Sequence, residues 1–287
     1  EVSPASVYSP PPGEATPTSA AWSERRSVVV TAQILFVLLL LGLWELASGT
    51  IVDPFFISAP SRVAPILYEW ATSGFLWQHI VYTIVNSVIG FVLGSLAAIA
   101  LGVWLGTHER LYQVFDPILN AFYTIPKIAL APLLIIWFGL DRAPKVVLAA
   151  VIVFFLVFNA TIAGLRQVDR DLVDIVRIMG GDRRTVVTKV ILPSVALHVL
   201  NGMRMSFPYA IHGAIVAEII ASNKGIGYML EHARGLYNMN MMYAALVAMM
   251  VVAVIVAVAV MLLAATPLSN FINANPTIVM LALSFLL

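Results

Sequence analysis

Apolar residues in this chain do not alternate with polar ones; they run. Long apolar stretches fall at about 28–47, 80–106, 111–139, 143–165, 190–221 and 241–265, divided by shorter polar segments. A bilayer core about 30 Å thick takes roughly 20 residues of helix. The pattern therefore predicts an all-α membrane protein of about six transmembrane helices, over residues 27–265. Composition points the same way. The chain is 61% hydrophobic and 11% charged, more apolar surface than the core of a soluble 287-residue protein can hide.

The polar segments set the orientation. Of the 16 Lys and Arg residues, nine fall on one side of the predicted spans (Arg25, Arg26, Arg110, Arg166, Arg170, Arg177, Arg183, Arg184, Lys189). Five fall on the other (Arg62, Arg142, Lys145, Lys224, Arg234). The richer side is expected to be cytoplasmic, which puts both termini of a multi-pass protein in the cytoplasm. Residues 1–26, with Pro4, Pro10, Pro11, Pro12 and Pro17 among Ser, Thr and Ala, read as a disordered cytoplasmic tail. The run behind Arg25 and Arg26 is too long for a cleaved signal and has no small-residue cleavage site, so it reads as a retained anchor. Residues 266–287 end in an apolar stretch too short to cross, and their structure is left open.

Several classes of chemistry drop out. The chain has no cysteine and five scattered histidines without H-E-x-x-H spacing, so no disulfide, thiolate or metal centre is expected. The net charge of +1 says little about partners, and no nucleic-acid partner is expected. No G-x-x-x-x-G-K-[ST] loop is present to cradle ATP phosphates.

Inside the apolar runs, polar and helix-breaking residues are the candidates for a translocation pathway. Pro126 lies near the middle of the third run, where a lost helical hydrogen bond needs protein or a wet cavity to satisfy it; a packing kink and a substrate site both fit. Ionisable groups at this depth cost roughly 2.5–3.5 kcal/mol each on insertion scales and are seldom idle. Lys127, next to the break, is read as an anion contact, a snorkelling cation or a member of an internal ion pair. Arg204 is read as a structural anchor ahead of an anion contact, and His212 as a hydrogen-bonded interior residue ahead of a pathway role. Glu218 is a gate or a cap for residues 222–227. The segments 50–78 and 222–240 carry Trp, Tyr, Pro and Gly suited to the headgroup zone, and the face they form is expected to dock a partner.

Residues 169–189 are polar at helical spacing, with Leu172, Ile175, Val176 and Met179 on one face. Gly180 and Gly181 break that helix, and a second helix is expected to end at Pro193. The stretch resembles the cytoplasmic signature of permease subunits of bacterial ABC importers: Glu-Ala-Ala, three residues, Gly, nine residues, Ile-x-Leu-Pro. Here Asp174-Ile175-Val176, Gly180 and Val190-Ile191-Leu192-Pro193 keep every gap. Other segments are similar to the nitrate, sulfonate and taurine branch of that superfamily. They are Trp44-Glu45, Ser58-Ala59-Pro60-Ser61, Phe115-Asp116-Pro117, Ile125-Pro126, Pro132 to Gly139, Gly164 to Asp169, Gly202-Met203-Arg204, and Val216-Ala217-Glu218 leading to Gly225-Ile226-Gly227-Tyr228. The resemblance covers about residues 42–262. The chain departs from it at Asp174 (usually Glu), at Ile175 and Val176 (usually alanines), at Lys127 (usually Pro) and at Asn86 (often Arg), and it lacks the basic tail.

The resemblance implies the type I importer permease fold, with a coupling helix at about 169–187 gripped by a separate ATPase through Asp174, Ile175, Val176, Arg177, Gly180, Gly181, Leu192 and Pro193. It implies no catalytic residue and no cofactor in this chain, ATP and Mg being held by two ATPase subunits. The implied partners are a second copy of the chain and a periplasmic or lipid-anchored solute-binding protein, in the bacterial inner membrane. The implied cargo is a small anion such as a sulfonate or nitrate. Two alternatives stand: a neutral or aromatic nutrient such as a vitamin precursor, which the loss of Arg at Asn86 permits, and a stand-alone ion-coupled carrier.

Overall fold

The computed structural model describes residues 19–274, and these are built from helices and the turns between them. The expected N-terminal tail up to residue 18 and the last apolar stretch from 275 lie outside the described residues. The chain divides into two compact units, residues 1–62 and 63–287.

In the first unit, α1 (Ser19–Thr50) starts eight residues ahead of the predicted domain boundary at 27 and carries the first apolar run. It ends where Gly49 takes φ 92°, a left-handed conformation that favours glycine. The chain then folds back. The Trp44 indole donates to Ser58 O (2.7 Å) and Ser48 Oγ to Ile57 O (2.8 Å). The Glu45 carboxylate accepts from Ser61 N (3.0 Å) and Ser61 Oγ (2.6 Å). Those bonds satisfy free donors at the start of α2 (Pro60–Thr72) and give Trp44-Glu45 and Ser58-Ala59-Pro60-Ser61 a joint structural purpose.

In the second unit, the most extensive packing is that of α6 (Arg142–Arg166) against α3 (Phe75–Gly106) and against α9 (Leu192–Ile220). Lipid supplies no hydrophobic drive between helices, so close backbone approach through small residues does that work. A β-carbon at Gly94 would sit 2.4 Å from Ala150 O, so α3 and α6 touch backbone to backbone there. Above and below, Ala98, Leu105, Ala149, Val153, Val157, Phe158, Ile162 and Ala210 form the core.

Among the described residues, five helices are long and apolar enough to cross a bilayer, or six if a bent pair is counted as one span. That pair is the third predicted span. α4 (Glu109–Thr124) is followed, past Ile125 and Pro126, by a 3-10 turn (Lys127–Leu130) and α5 (Ala131–Phe138), bent by 83°. Ile125 and Pro126 are extended (ψ 131° and 101°) because a proline disfavours helix in the residue before it and removes an amide donor.

The polar island differs from its expected form in one respect. α7 (Arg170–Ile178) and α8 (Arg183–Val186) are separate, but the second helix does not end at Pro193. A π-helical turn (Val187–Ile191) runs on into α9, and Pro193, which has no N–H to give to the ladder, follows directly where that turn breaks the regular register. The chain continues through α10 (Ile226–Gly235) to α11 (Met239–Ala274), which passes the expected boundary at 265. Lys145, grouped above with loop charges, is completely buried in the first turns of α6.

Candidate functional site: a capped lever and a buried latch

Two polar assemblies lie outside the apolar packing, one around α7 and one at the start of α10.

The lever is a nine-residue helix stopped at both ends. Asp169 caps it, its carboxylate accepting from Asp171 N (2.9 Å). At the other end Gly181 N donates to Val176 O (2.9 Å) and Gly180 N to Arg177 O (2.9 Å), the paired bonds of a Schellman motif. Gly180 has φ 81° and nothing within 4 Å of a would-be β-carbon, so backbone conformation and not space calls for glycine. Asp182 caps the next turn, accepting from Thr185 N (2.8 Å) and Thr185 Oγ1 (2.6 Å). These bonds hold its carboxyl below the usual carboxylate range.

Leu172, Ile175, Ile178 and Met179 are exposed, the last two 86% and 81%. Val176, placed on one face with Leu172, Ile175 and Met179 above, is half-buried and turned against Gly181, where a β-carbon would meet its Cγ1 at 2.6 Å. Asp174 and Arg177 form an exposed pair (3.5 Å). Leu192 is exposed and Pro193 half-buried at the start of α9.

Residues the sequence reading passed over tie this region to the spans. Arg183 donates to His108 Nε2 (2.5 Å) at the corner between α3 and α4, while His108 Nδ1 meets Trp104 O (2.6 Å). One tautomer serves both bonds, with the proton on Nδ1. Arg166 at the end of α6 donates to Tyr112 OH (2.9 Å), which donates to Asp116, both on α4. A cavity of about 310 Å³ lies among these elements, with Val173 of α7 in its wall. The signal for this cluster was Phe115-Asp116-Pro117 and Gly164 to Asp169, matched above as motifs but given no chemistry.

The latch is buried. Glu218 and Thr83 are fully inaccessible and His79 nearly so. Thr83 Oγ1 accepts from Ile226 N (2.9 Å) and donates to Glu218 Oε2 (2.8 Å), which also accepts from Gly227 N (3.1 Å). His79 Nδ1 accepts from Gly225 N (2.9 Å), so its proton sits on Nε2. A carboxylate thus meets the first turn of α10, where free N–H groups and the helix dipole favour an anion. His79 and Thr83 have no counterpart among the expected site residues.

The remaining pathway candidates do not converge. Asn86 is buried in α3, its amide making no hydrogen bond of normal geometry. Pro126 is exposed at the bend. Lys127 bonds to Tyr123 O and lies over the rings of Tyr123 (4.2 Å) and Phe155 (5.1 Å), a cation-π arrangement in place of an ion pair. Arg204 is half-buried on α9. His212 is exposed, its ring edge-on to Tyr209 at 5.9 Å, which corrects its reading as an interior hydrogen-bonded residue. Its neighbours along α9, Ile211 and Gly213, take the inward face.

The chain is 32% identical over 74% of its length to 78% of an aliphatic sulfonates transport permease protein of Bacillus subtilis. It is 30% identical over 71% of its length to 81% of a formylaminopyrimidine transport permease protein of Halalkalibacterium halodurans. A chain of the MetNI methionine ABC transporter in an inward-facing conformation shares the fold, with a TM-score of 0.54 at 20% identity over 68% of this chain and 94% of that one. Residues 90–274 match the family described as binding-protein-dependent transport system inner membrane component. The chain belongs to that family, the permease subunits of ABC importers.

Proposed function

We propose that this permease carries a small organic anion of the sulfonate type across the bacterial inner membrane, driven by ATP hydrolysed in partner subunits. The observation that carries the coupling half is α7: a short helix, capped at Asp169 and closed at Gly180, with Leu172, Ile175, Ile178 and Met179 facing solvent. An apolar face on a charged, water-exposed helix is left for a partner to cover. A groove in an ATPase fits it, with Asp174 and Arg177 at the rim. Arg183 and Arg166 then pass a displacement of α7 and α8 to α4, α3 and α6 through His108 and Tyr112.

Two ATPase subunits need two levers, so the working unit is a homodimer of this chain with the pathway between the copies. The basic side faces the cytoplasm together with α7 and both termini, and the face holding residues 222–235 receives the solute-binding protein. ATP with its Mg is bound by the ATPase partners; this chain supplies the pathway and the lever. Differential affinity of ATP for two states of the assembly, transmitted by α7, drives alternating access.

The cargo reading rests on the likeness to the sulfonates permease and on Lys127, a cation without a carboxylate partner beside the bend. The likeness to a formylaminopyrimidine permease supports a second reading, an uncharged aromatic nutrient, with Asn86 as a neutral donor and acceptor. Proteoliposomes holding this chain, its ATPase and its binding protein decide between them. Uptake of alkanesulfonates that depends on both partners supports the first reading. Uptake of pyrimidines alone supports the second, and uptake without ATPase refutes both.

A further inference from the structure

A depression of about 400 Å³ lies between the start of α3, the start of α6 and the loop before α10, lined by Trp77, Gln78, His79, Tyr82, Arg142 and Lys224. It has no part in the lever and shares His79 with the latch. Arg142, Lys224 and His79 are its basic groups, and no carboxylate lines it. The ion pairs among the described residues are Asp174 with Arg177 and Glu231 with Arg234, so neither Arg142 nor Lys224 is in a contact ion pair.

The geometry presents donors. The Arg142 guanidinium lies 5.0 Å over the ring of Tyr82, which fixes its plane. Because His79 Nδ1 accepts from Gly225, its Nε2 is left as a donor. The Trp77 indole N–H is spent on Ala71 O (3.1 Å), so its ring serves as an apolar wall, 58% exposed. Two cations from distant parts of the chain repel each other in one depression unless an anion sits between them. Arg142 also opens α6, where the dipole adds to the attraction for negative charge.

We propose that this depression binds an oxyanion, a phosphate, sulfate or sulfonate group, bridging Arg142 of α6 and Lys224 of the loop before α10. The group comes from an anionic phospholipid headgroup or from a free solute; the recognising chemistry is the same. Bound there, it ties that loop to α6 and reinforces the seating of α10, which is otherwise held by Gly225 on His79 and Gly227 on Glu218. The site stands whether or not the cargo is a sulfonate.

The test uses the full chain in phosphatidylcholine nanodiscs, titrated with inorganic sulfate against sodium chloride of equal ionic strength. The readout is the part of the tryptophan fluorescence that Trp77→Phe removes. Sulfate is expected to shift it saturably, with affinity about tenfold weaker in Arg142→Gln and in Lys224→Gln. Arg234→Gln, whose charge is paired with Glu231, is expected to respond as the parent does. Repeating the titration in discs containing phosphatidylglycerol separates the sources. A lost sulfate response identifies the headgroup as the occupant, and a retained one identifies a free anion. A sulfate response no larger than that to chloride in phosphatidylcholine discs overturns the proposal, as does an unchanged response in Lys224→Gln, an exposed loop position that does not put folding at risk.

Discussion

Gly225 and Glu218 are matched by the absence of a side chain on one and the burial of the other: a β-carbon on Gly225 would lie 2.1 Å from Glu218 Cδ. Gly225 also holds φ 106°, so two independent constraints demand glycine at the mouth of α10. The carboxylate fills the space so vacated and meets α10's free amides.

Gly225→Ala is therefore expected to cost about 3 kcal/mol, from backbone strain and overpacking together. Gly139→Ala, at φ 77° and ψ −167° with open space around it, is expected to cost about 2 kcal/mol from strain alone. Chemical denaturation in detergent measures the difference; equal costs would mean that the fit to Glu218 is not a constraint.

Thr83→Val keeps the shape of the side chain but removes the hydroxyl that stands between Ile226 N and Glu218. It is expected to cost about 2–3 kcal/mol, because a buried donor and a buried carboxylate each lose a partner. Thr83→Val and Glu218→Gln combined are expected to cost clearly less than the sum of the single changes, since they share one network. Additive costs in the double-mutant cycle would separate the two residues.

The Asp182 cap gives α8, the turn that follows the lever, a pH dependence whose sign follows from the direction of its shift. Its carboxyl is held below the usual range in the folded state. The cap is thus complete above the unfolded carboxylate value of about 4 and is lost as pH falls through the lower, folded value. Amide exchange at Thr185 is expected to quicken at that lower pH and, in Asp182→Ala, to be fast at every pH. A Thr185 amide that exchanges no faster in Asp182→Ala than in the parent would remove Asp182 from the account.

Ile178 and Met179 are too exposed to hold the chain's own fold. Ile178→Asp and Met179→Asp are expected to leave thermal stability within about 0.5 kcal/mol of the parent. The same changes are expected to reduce binding-protein-stimulated ATP hydrolysis about tenfold or more, since a charge then faces an apolar groove. Full stimulation with both changes present would place the ATPase contact elsewhere.

Much of this was legible in the chain, for reasons particular to each element. Runs of some 20 apolar residues have few folded solutions in lipid, so α3, α6, α9 and α11 announce themselves. The spacing from Asp174 through Gly180 to Pro193 marked the lever because Schellman closure at Gly180 needs a left-handed residue at that step. The continuity of α8 into α9 was hidden, since a proline reads as a helix end and nothing local signals the π turn that lets it open the next helix. His79 and Thr83 were invisible because their partners lie 146 and 143 residues away, and no local pattern encodes a long-range hydrogen bond. His212 was misread because burial on α9 changes from one residue to the next, which composition does not report.

A chain without cysteine permits one direct measurement of the central claim, that a partner ATPase grips α7. Met179→Cys is placed in the assembled transporter and treated with a short thiol-to-amine crosslinker, with Lys224→Cys as the comparison. The account predicts that Met179→Cys joins the ATPase subunit and is shielded from a thiol reagent when that subunit is bound, while Lys224→Cys does neither. A Met179→Cys that stays equally reactive with and without the ATPase, or that reacts from the same side of the membrane as Lys224→Cys, would contradict it.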